Sequence, residues 1–139
     1  SPYMGEESIE PFISNPSKGA YVLCRTSNKS STFIQEEIYS KVISLCEALN
    51  NQQNIGLVVG ATNDDALMQV RNSTDLPFLI PGIGAQGGDL QSVIKINENS
   101  MDTTLINVSR GIIFFGNKDY DSIRNSAKQY LNQLRGFNG

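Results

Sequence analysis

The chain has 139 residues, of which 39% are hydrophobic and 18% charged, a composition typical of one globular domain or of a piece of a larger one. Its apolar runs are too short to cross a bilayer, and its net charge of −3, with scattered lysines and arginines, argues against a nucleic-acid-binding surface. Histidine is absent, which excludes His-based catalytic triads and His-ligated metal sites within the chain.

The N-terminal twelve residues, SPYMGEESIEPF, predict a loop that leads into a short helix, with no strand before it. Four apolar runs then recur, and each is followed by a polar or glycine-rich turn and a helical pattern. They lack polar alternation, which favours strands buried on both faces of a parallel sheet. The runs are residues 20–24, 56–59, 77–80 and 105–108.

The helix after the first run has the clearest start signal. Thr32 and Gln35 have the spacing of a capping box, in which each side chain bonds a backbone amide of the first turn. Apolar residues then follow at spacings of three and four and predict one buried stripe. The stripe consists of Ile34, Ile38, Val42, Leu45, Cys46 and Leu49.

The other three helices also begin at polar caps. Asn63 precedes two aspartates at the start of the second helix, Asp89 precedes the third, and Asp119 or Asp121 precedes the fourth. The apolar residues expected to face inward are Ala66, Leu67 and Val70, then Leu90, Val93 and Ile94, then Ile123, Ala127, Tyr130, Leu131 and Leu134.

Four consecutive βα units indicate an α/β protein, and we expect residues 1–139 to form part of a single domain. The units fit either a small open sheet or half of an eight-stranded barrel, and periodicity does not separate the two. In both architectures ligands bind at the carboxyl ends of the strands.

The turn after the third strand carries the strongest functional signal. Gly82, Gly84, Gly87 and Gly88 allow backbone amides to turn toward an anion, and a helix N-terminus follows at once. Arg110, after the fourth strand, has a guanidinium that can bind a phosphate through two hydrogen bonds. The alternative is that the glycines only mark tight turns, but together with Arg110 they predict a phosphate loop at Gly84, Gly87 and Gly88.

Two further strand-end residues are candidates for binding a base. Gln86 offers both a donor and an acceptor, as the edge of a pyrimidine requires, and the Ser27 hydroxyl can do similar work. A turn or cap hydrogen bond is the alternative role for Ser27 and for Thr62. Arg25 can instead be a structural ion-pair partner. Cys24 and Cys46 are expected to be buried thiols, as in a reducing compartment.

Read together, the strand ends resemble orotidine 5'-phosphate decarboxylase, in the longer bacterial-type branch of that family. The matching motifs are SPYMG at 1–5, VLCRTSN at 22–28, GLVVGAT at 56–62, PFLIPGIGAQGGD at 77–89 and NVSRGI at 107–112. The resemblance implies a (β/α)8 TIM barrel, to which this chain contributes about the last four βα units as a half-barrel.

By position in these motifs, the resemblance implies substrate contacts for five residues. Ser27 would contact the pyrimidine ring, Pro81 would form an apolar wall, and Gln86 would bridge the pyrimidine and the phosphate. Ser109 would contribute its backbone N–H, and Arg110 would bind the phosphate. The implied activity is a lyase reaction without cofactor or metal, which converts orotidine 5'-phosphate to uridine 5'-phosphate (UMP) and carbon dioxide in pyrimidine biosynthesis. The full enzyme is expected to be a cytoplasmic homodimer.

The chain departs from the family pattern in one respect. The hallmark Asp-x-Lys-x-x-Asp motif, which provides the catalytic lysine, occurs at none of the six lysines. We therefore expect residues 1–139 to be the C-terminal half of the decarboxylase barrel, with the missing N-terminal half as its partner, and to contain no catalytic residue. The isolated chain is expected to be inactive.

Two alternatives remain open. One is another barrel enzyme that binds phosphorylated sugars with the same pair of loops. The other is a non-catalytic half-barrel that binds phosphate ligands or self-associates through its exposed sheet edges.

Overall fold

The four apolar runs form four strands of one parallel sheet in a computed structural model, which describes residues 1–136. Each predicted run matches a strand within one or two residues. In chain order the elements are α1 Glu10–Ile13, β1 Ala20–Arg25, α2 Thr32–Leu49, β2 Ile55–Val59, α3 Asp64–Arg71, β3 Phe78–Pro81, α4 Leu90–Ile96, β4 Thr104–Asn107, α5 Arg110–Ile113 and α6 Tyr120–Arg135. Short 3-10 turns lie at Pro2–Met4, Glu6–Ser8, Lys29–Ser31 and Glu98–Thr103.

The strands lie in the sheet in their chain order, β1-β2-β3-β4, and every neighbouring pair is parallel. This order is expected of consecutive βα units, in which each helix returns the chain to the same end of the next strand. All four strand ends therefore lie along one edge of the sheet, as the sequence predicts. The backbone N–H and C=O groups on the outer sides of β1 and β4 have no partner strand among residues 1–136.

The two faces of the sheet differ in burial. One face forms the core, where buried side chains of the strands meet those of the helices. The strand residues of this core include Val22, Cys24, Leu57, Val59, Phe78 and Ile80. On the other face, Tyr21, Leu23 and Leu105 are 41%, 45% and 55% exposed. The helices thus cover one face of the sheet, as they would in half of a barrel, and leave an apolar face open.

A β-bulge interrupts the pairing at the end of β1. Leu23 pairs with Val58 and Arg25 pairs with Val59, so Cys24 is an extra residue on β1. Because of this insertion, both Cys24 and Arg25 are directed toward α2 and both are buried. Bulges are frequent beside functional sites, where they change the direction of the residues that follow.

Three of the predicted helix caps are present. Asn63 accepts a hydrogen bond from the Ala66 amide, and Asp89 and Asp119 each accept one from the amide three residues later. The hydrogen bonds from Ser122 lower the pKa of Asp119. These caps fix where α3, α4 and α6 begin.

The capping box predicted for α2 is wrong. Thr32 is the first residue of the helix, Ser31 occupies the cap position, and neither the Thr32 nor the Ser31 side chain bonds an amide of the first turn. Gln35 instead accepts a hydrogen bond from the Thr26 N–H at 2.8 Å. The tertiary contact with the end of β1 therefore replaces the local cap.

The apolar stripe of α2 also differs from the prediction. Val42, Ile43 and Cys46 are buried, whereas Ile34 is 52% exposed. Ile34 lines a groove of about 260 Å³ with Leu23 and Tyr3, next to the open side of β1. The stripe therefore continues past the part of the helix that the sheet covers. On α6, Leu131 is likewise exposed, and the buried residue is Ser126.

Both cysteines are buried free thiols, as predicted. Burial raises the pKa of Cys24 to about 12, and the neighbouring Cys46 adds to this shift. Burial raises the pKa of Cys46 to about 11, with a smaller contribution from Glu47. Both side chains are therefore protonated at neutral pH and pack as small apolar groups.

Candidate functional site

The ends of β3 and β4 enclose a cavity of about 250 Å³. Pro81 pairs with Asn107 in the sheet, and the loops that follow these two residues form the walls. Four of the five predicted contact residues line this one cavity: Pro81, Gln86, Ser109 and Arg110. The structure thus brings Gln86 and Arg110 together from adjacent strand ends.

Ser27, the fifth predicted residue, does not line this cavity but is hydrogen-bonded to Gln86, which does. Its hydroxyl donates a hydrogen bond to Gln86 Oε1 at 3.3 Å, across 59 residues of sequence. Ser27 and Gln86 also line an adjoining cavity of about 420 Å³, together with Thr62 and Gly87. Gln86 therefore lies between two cavities, as a residue that contacts two parts of one ligand would.

The glycine loop is held by its own hydrogen bonds. The N–H groups of Gly84, Gly87 and Gly88 donate to the carbonyls of Gly88, Gly84 and Gly82, respectively. These three amides are therefore engaged inside the loop. Within residues 1–136, the N–H groups of Ala85 and Gln86 at the tip of the loop have no acceptor, and these are the amides available to a ligand.

The backbone angles explain why the loop needs glycine. Gly82, Gly84 and Gly87 have φ values of 105°, 72° and 97°, which side-chain-bearing residues rarely adopt. The glycines therefore shape the loop so that its tip, with the Gln86 side chain, faces the end of β4. The assignment of Gly84, Gly87 and Gly88 to a phosphate loop remains a prediction. In it, the glycines shape the loop, and the backbone amides at the tip of the loop contact the phosphate.

Arg110 is the first residue of α5, a short helix that the sequence analysis did not predict. Its side chain is exposed and makes no ion pair with any residue that the structure describes. The Ser109 N–H likewise has no acceptor among residues 1–136. The cavity thus contains one uncompensated positive charge and nearby backbone donors, which is the chemistry that an anion requires.

The other predicted candidates have structural contacts. The Thr62 hydroxyl donates to the Ser27 carbonyl at 2.7 Å, which fixes the backbone of Ser27. Arg25 forms an ion pair with Glu36 at 2.5 Å and lies over the Tyr39 ring. The interpretation of Arg25 as a structural ion-pair partner is therefore confirmed.

The cavity position of Asn107 and the contact made by Gln35 were not predicted from the sequence. Asn107 lines the cavity with Arg110, and its amide donates to the Ser109 hydroxyl at 3.3 Å. The available sequence signal was its position at the end of the fourth apolar run, since the carboxyl ends of parallel strands share one edge of the sheet. Gln35 holds Thr26, the residue before Ser27, through hydrogen bonds to its backbone N–H and its hydroxyl. No signal in the sequence distinguishes a glutamine that bonds Thr26 from a glutamine that caps its own helix.

The described part of the chain contains neither a metal-binding cluster nor a membrane-spanning helix. Among residues 1–136, no group of three or more acidic or cysteine side chains is arranged to hold a metal ion. None of the helices within this range combines the length and apolarity that a bilayer span needs.

Comparison with known proteins decides the family. The sequence model of the "Orotidine 5'-phosphate decarboxylase / HUMPS family" matches residues 1–121. The chain belongs to the orotidine 5'-phosphate decarboxylase family. This confirms the resemblance that the strand-end motifs indicate.

Curated relatives named orotidine 5'-phosphate decarboxylase match most of this chain. The protein from Natronomonas pharaonis is 43% identical over 123 residues, which cover 84% of this chain and 45% of the relative. A protein from Dehalococcoides mccartyi is 42% identical over 151 aligned positions, which cover 99% of this chain and 56% of the relative. The chain thus spans about half the length of the curated decarboxylases that it matches.

Solved structures give the same result. The Leishmania donovani OMP decarboxylase is similar with a TM-score of 0.78 and 36% identity, over 98% of this chain and 54% of that one. The Plasmodium berghei orotidine 5'-monophosphate decarboxylase has a TM-score of 0.76 at 27% identity, over 97% of this chain and 46% of that one. The four-stranded sheet therefore corresponds to half of a decarboxylase TIM barrel.

Proposed function

We propose that this chain provides the phosphate- and pyrimidine-binding strand ends of an orotidine 5'-phosphate decarboxylase. The observation that carries the proposal is the shared cavity of Gln86 and Arg110, with Ser27 hydrogen-bonded to Gln86. Family membership supplies the substrate class, and the cavity supplies side chains of suitable chemistry for both ends of a nucleotide.

Arg110 binds the phosphate in this proposal. Its guanidinium has no ion-pair partner among the described residues, and its planar fork matches two phosphate oxygens. The N–H groups of Ser109, Ala85 and Gln86 add neutral donors from both sides of the cavity. A phosphate dianion would therefore meet donors from two adjacent strand ends, as at the phosphate sites of other barrels.

Gln86 and Ser27 contact the pyrimidine. Gln86 lies between the Arg110 cavity and the Ser27 cavity, so its amide can reach the phosphate side and the base side of one ligand. Ser27 donates to Gln86 Oε1 in the described structure and can transfer that bond to a pyrimidine carbonyl. Pro81, which has no backbone donor, forms an apolar wall beside them.

Decarboxylation requires a group that this chain lacks. The reaction leaves a carbanion on the pyrimidine, and a lysine of the family motif stabilises and protonates it. None of the six lysines here lies in an Asp-x-Lys-x-x-Asp motif. The contribution of this chain is binding energy at the phosphate, remote from the reacting carbon, which helps to hold the reactive complex.

The partner that completes the site is a complementary half-barrel that contains the lysine motif. Support comes from the open apolar face at Tyr21, Leu23 and Leu105, and from the outer sides of β1 and β4, which have no partner strand within residues 1–136. Unpaired strand sides tend to recruit another strand, and an exposed apolar face tends to become an interface. Eight strands would then close the sheet.

The remaining properties are also proposed from the family. The completed enzyme uses no cofactor, forms a homodimer and works in the cytoplasm, where the free thiols of Cys24 and Cys46 stay reduced. Sedimentation of the completed enzyme and fractionation of the source cells would test the last two points.

Two assays test the proposal. Release of labelled CO₂ from carboxyl-labelled orotidine 5'-phosphate should stay at background for the 139-residue chain, and turnover above background would contradict it. Thermal shift measurements should show stabilisation by UMP and much less by uridine or ribulose 5-phosphate. A larger shift with ribulose 5-phosphate would favour a sugar-phosphate enzyme instead.

A further inference from the structure

Two residues of α6 contact the backbone behind the candidate site. Ser126 and Tyr130 are four residues apart and so lie on one face of the helix. Ser126 is 1% exposed, and its hydroxyl donates to the Gly111 carbonyl at 2.9 Å. Tyr130 is half-buried against the core. The same face of α6 thus holds the residue that follows Arg110.

The Tyr130 hydroxyl also lies against both loops of the site. A Cβ added to Gly84 would lie 2.7 Å from Tyr130 Oη, and one added to Gly111 would lie 2.6 Å from it. Real Cβ atoms essentially never come this close to another heavy atom. Gly84 belongs to the loop that carries Gln86, and Gly111 follows Arg110. One oxygen therefore packs against the backbone of both loops.

The contact with Tyr130 Oη accounts for the glycine at position 111, which helix propensity does not favour. Gly111 is the second residue of α5, and helices in general favour alanine over glycine. Its φ is not in the left-handed region, so backbone angle does not require glycine there. A side chain at this position would instead have to displace the end of the Tyr130 side chain.

We propose that Tyr130 and Ser126 are positioning residues that hold the Gln86 loop at a fixed distance from Arg110. They line a separate cavity of about 270 Å³ with Gly84 and Gly111, and so act on the ligand only through the two loops. The proposal rests on the phosphate-binding function proposed above. It predicts that phosphate affinity depends on the contact between Tyr130 and the two glycines.

The first test combines a substitution that makes residue 111 clash with Tyr130 Oη and a substitution that removes this oxygen. Gly111→Ala in the 139-residue chain should weaken UMP binding by roughly three- to tenfold, because its methyl group forces α5 and the Tyr130 side chain apart. In a Tyr130→Phe background the same change should cost less than about twofold, because the clashing oxygen is gone. Tyr120→Phe, at a residue 76% exposed on the same helix, is the control and should leave affinity unchanged. Calorimetric titration measures each affinity.

The second test removes the hydrogen bond between Ser126 and Gly111 and leaves both glycines unchanged. Ser126→Ala removes the hydrogen bond to Gly111 and should weaken UMP binding by about two- to fivefold, with little effect on uridine binding. Ser44→Ala is the matched control, because Ser44 is exposed and its hydroxyl bonds a backbone carbonyl on α2. Thermal unfolding of each variant separates folding defects from local ones.

The outcomes distinguish the two proposals. If Gly111→Ala weakens UMP binding equally with and without Tyr130→Phe, or if Ser126→Ala weakens uridine and UMP binding alike, the positioning role is wrong and the binding function stands. If the unaltered chain binds UMP no more tightly than uridine, the phosphate site itself is wrong, and the positioning role falls with it.

Discussion

Replacement of Glu36 by alanine tests how the end of β1 is held. The Arg25 side chain is 4% exposed and its one ion-pair partner among residues 1–136 is Glu36, which is 47% exposed. Removal of one member of a fully buried ion pair costs about 3–5 kcal/mol. Because Glu36 is half in water, we expect about half of this loss, roughly 1.5–2.5 kcal/mol of unfolding free energy.

Urea denaturation followed by circular dichroism measures this loss. Glu37→Ala is the matched control, since Glu37 is exposed on the same helix and makes no ion pair in the described part of the chain. It should change stability by less than about 0.5 kcal/mol. The double variant Arg25→Met/Glu36→Ala should recover most of the loss, because no buried charge then remains. Equal stability of the Glu36 and Glu37 variants would refute the reasoning.

Two further predictions concern a helix cap and the buried thiols. Asn63→Ala should lower the unfolding free energy by about 1 kcal/mol, because the first turn of α3 loses its side-chain acceptor; an unchanged urea midpoint would show that water replaces it. Because the pKa values of Cys24 and Cys46 are raised from 9.0 to about 12 and about 11, folding favours the protonated thiols. Their contribution is complete below pH 9 and is lost as pH rises through the folded values. Stability should therefore fall more steeply between pH 9 and pH 10 in the unaltered chain than in a Cys24→Val/Cys46→Val variant, and equal slopes would contradict this.

Local signals in the sequence predict most of the elements. The four strands lack polar alternation, and caps at Asn63, Asp89 and Asp119 mark helix starts through contacts made within three residues. Because parallel strand ends share one edge of the sheet, the meeting of Gln86 with Arg110 follows from strand order alone.

The sequence-based predictions fail where a contact with a residue distant in the chain determines the position of a side chain. Gln35 bonds Thr26 rather than its own helix, because the bulge at Cys24 brings the end of β1 within reach. Ile34 is apolar at the right spacing yet exposed, since periodicity shows that a stripe is apolar and not what covers it. The position of Tyr130 Oη against Gly84 and Gly111 depends on how α6 packs.

Titration of UMP into the unaltered chain, Gln86→Ala, Arg110→Gln and the double variant tests the shared phosphate site most directly. Arg124→Gln, at an exposed arginine on α6, is the control for lost charge. The shared cavity predicts that Arg110→Gln weakens binding by about 10- to 100-fold, and that the double variant loses less than the sum of the single losses. Affinity of the Arg110 variant equal to that of the Arg124 variant would contradict the assignment.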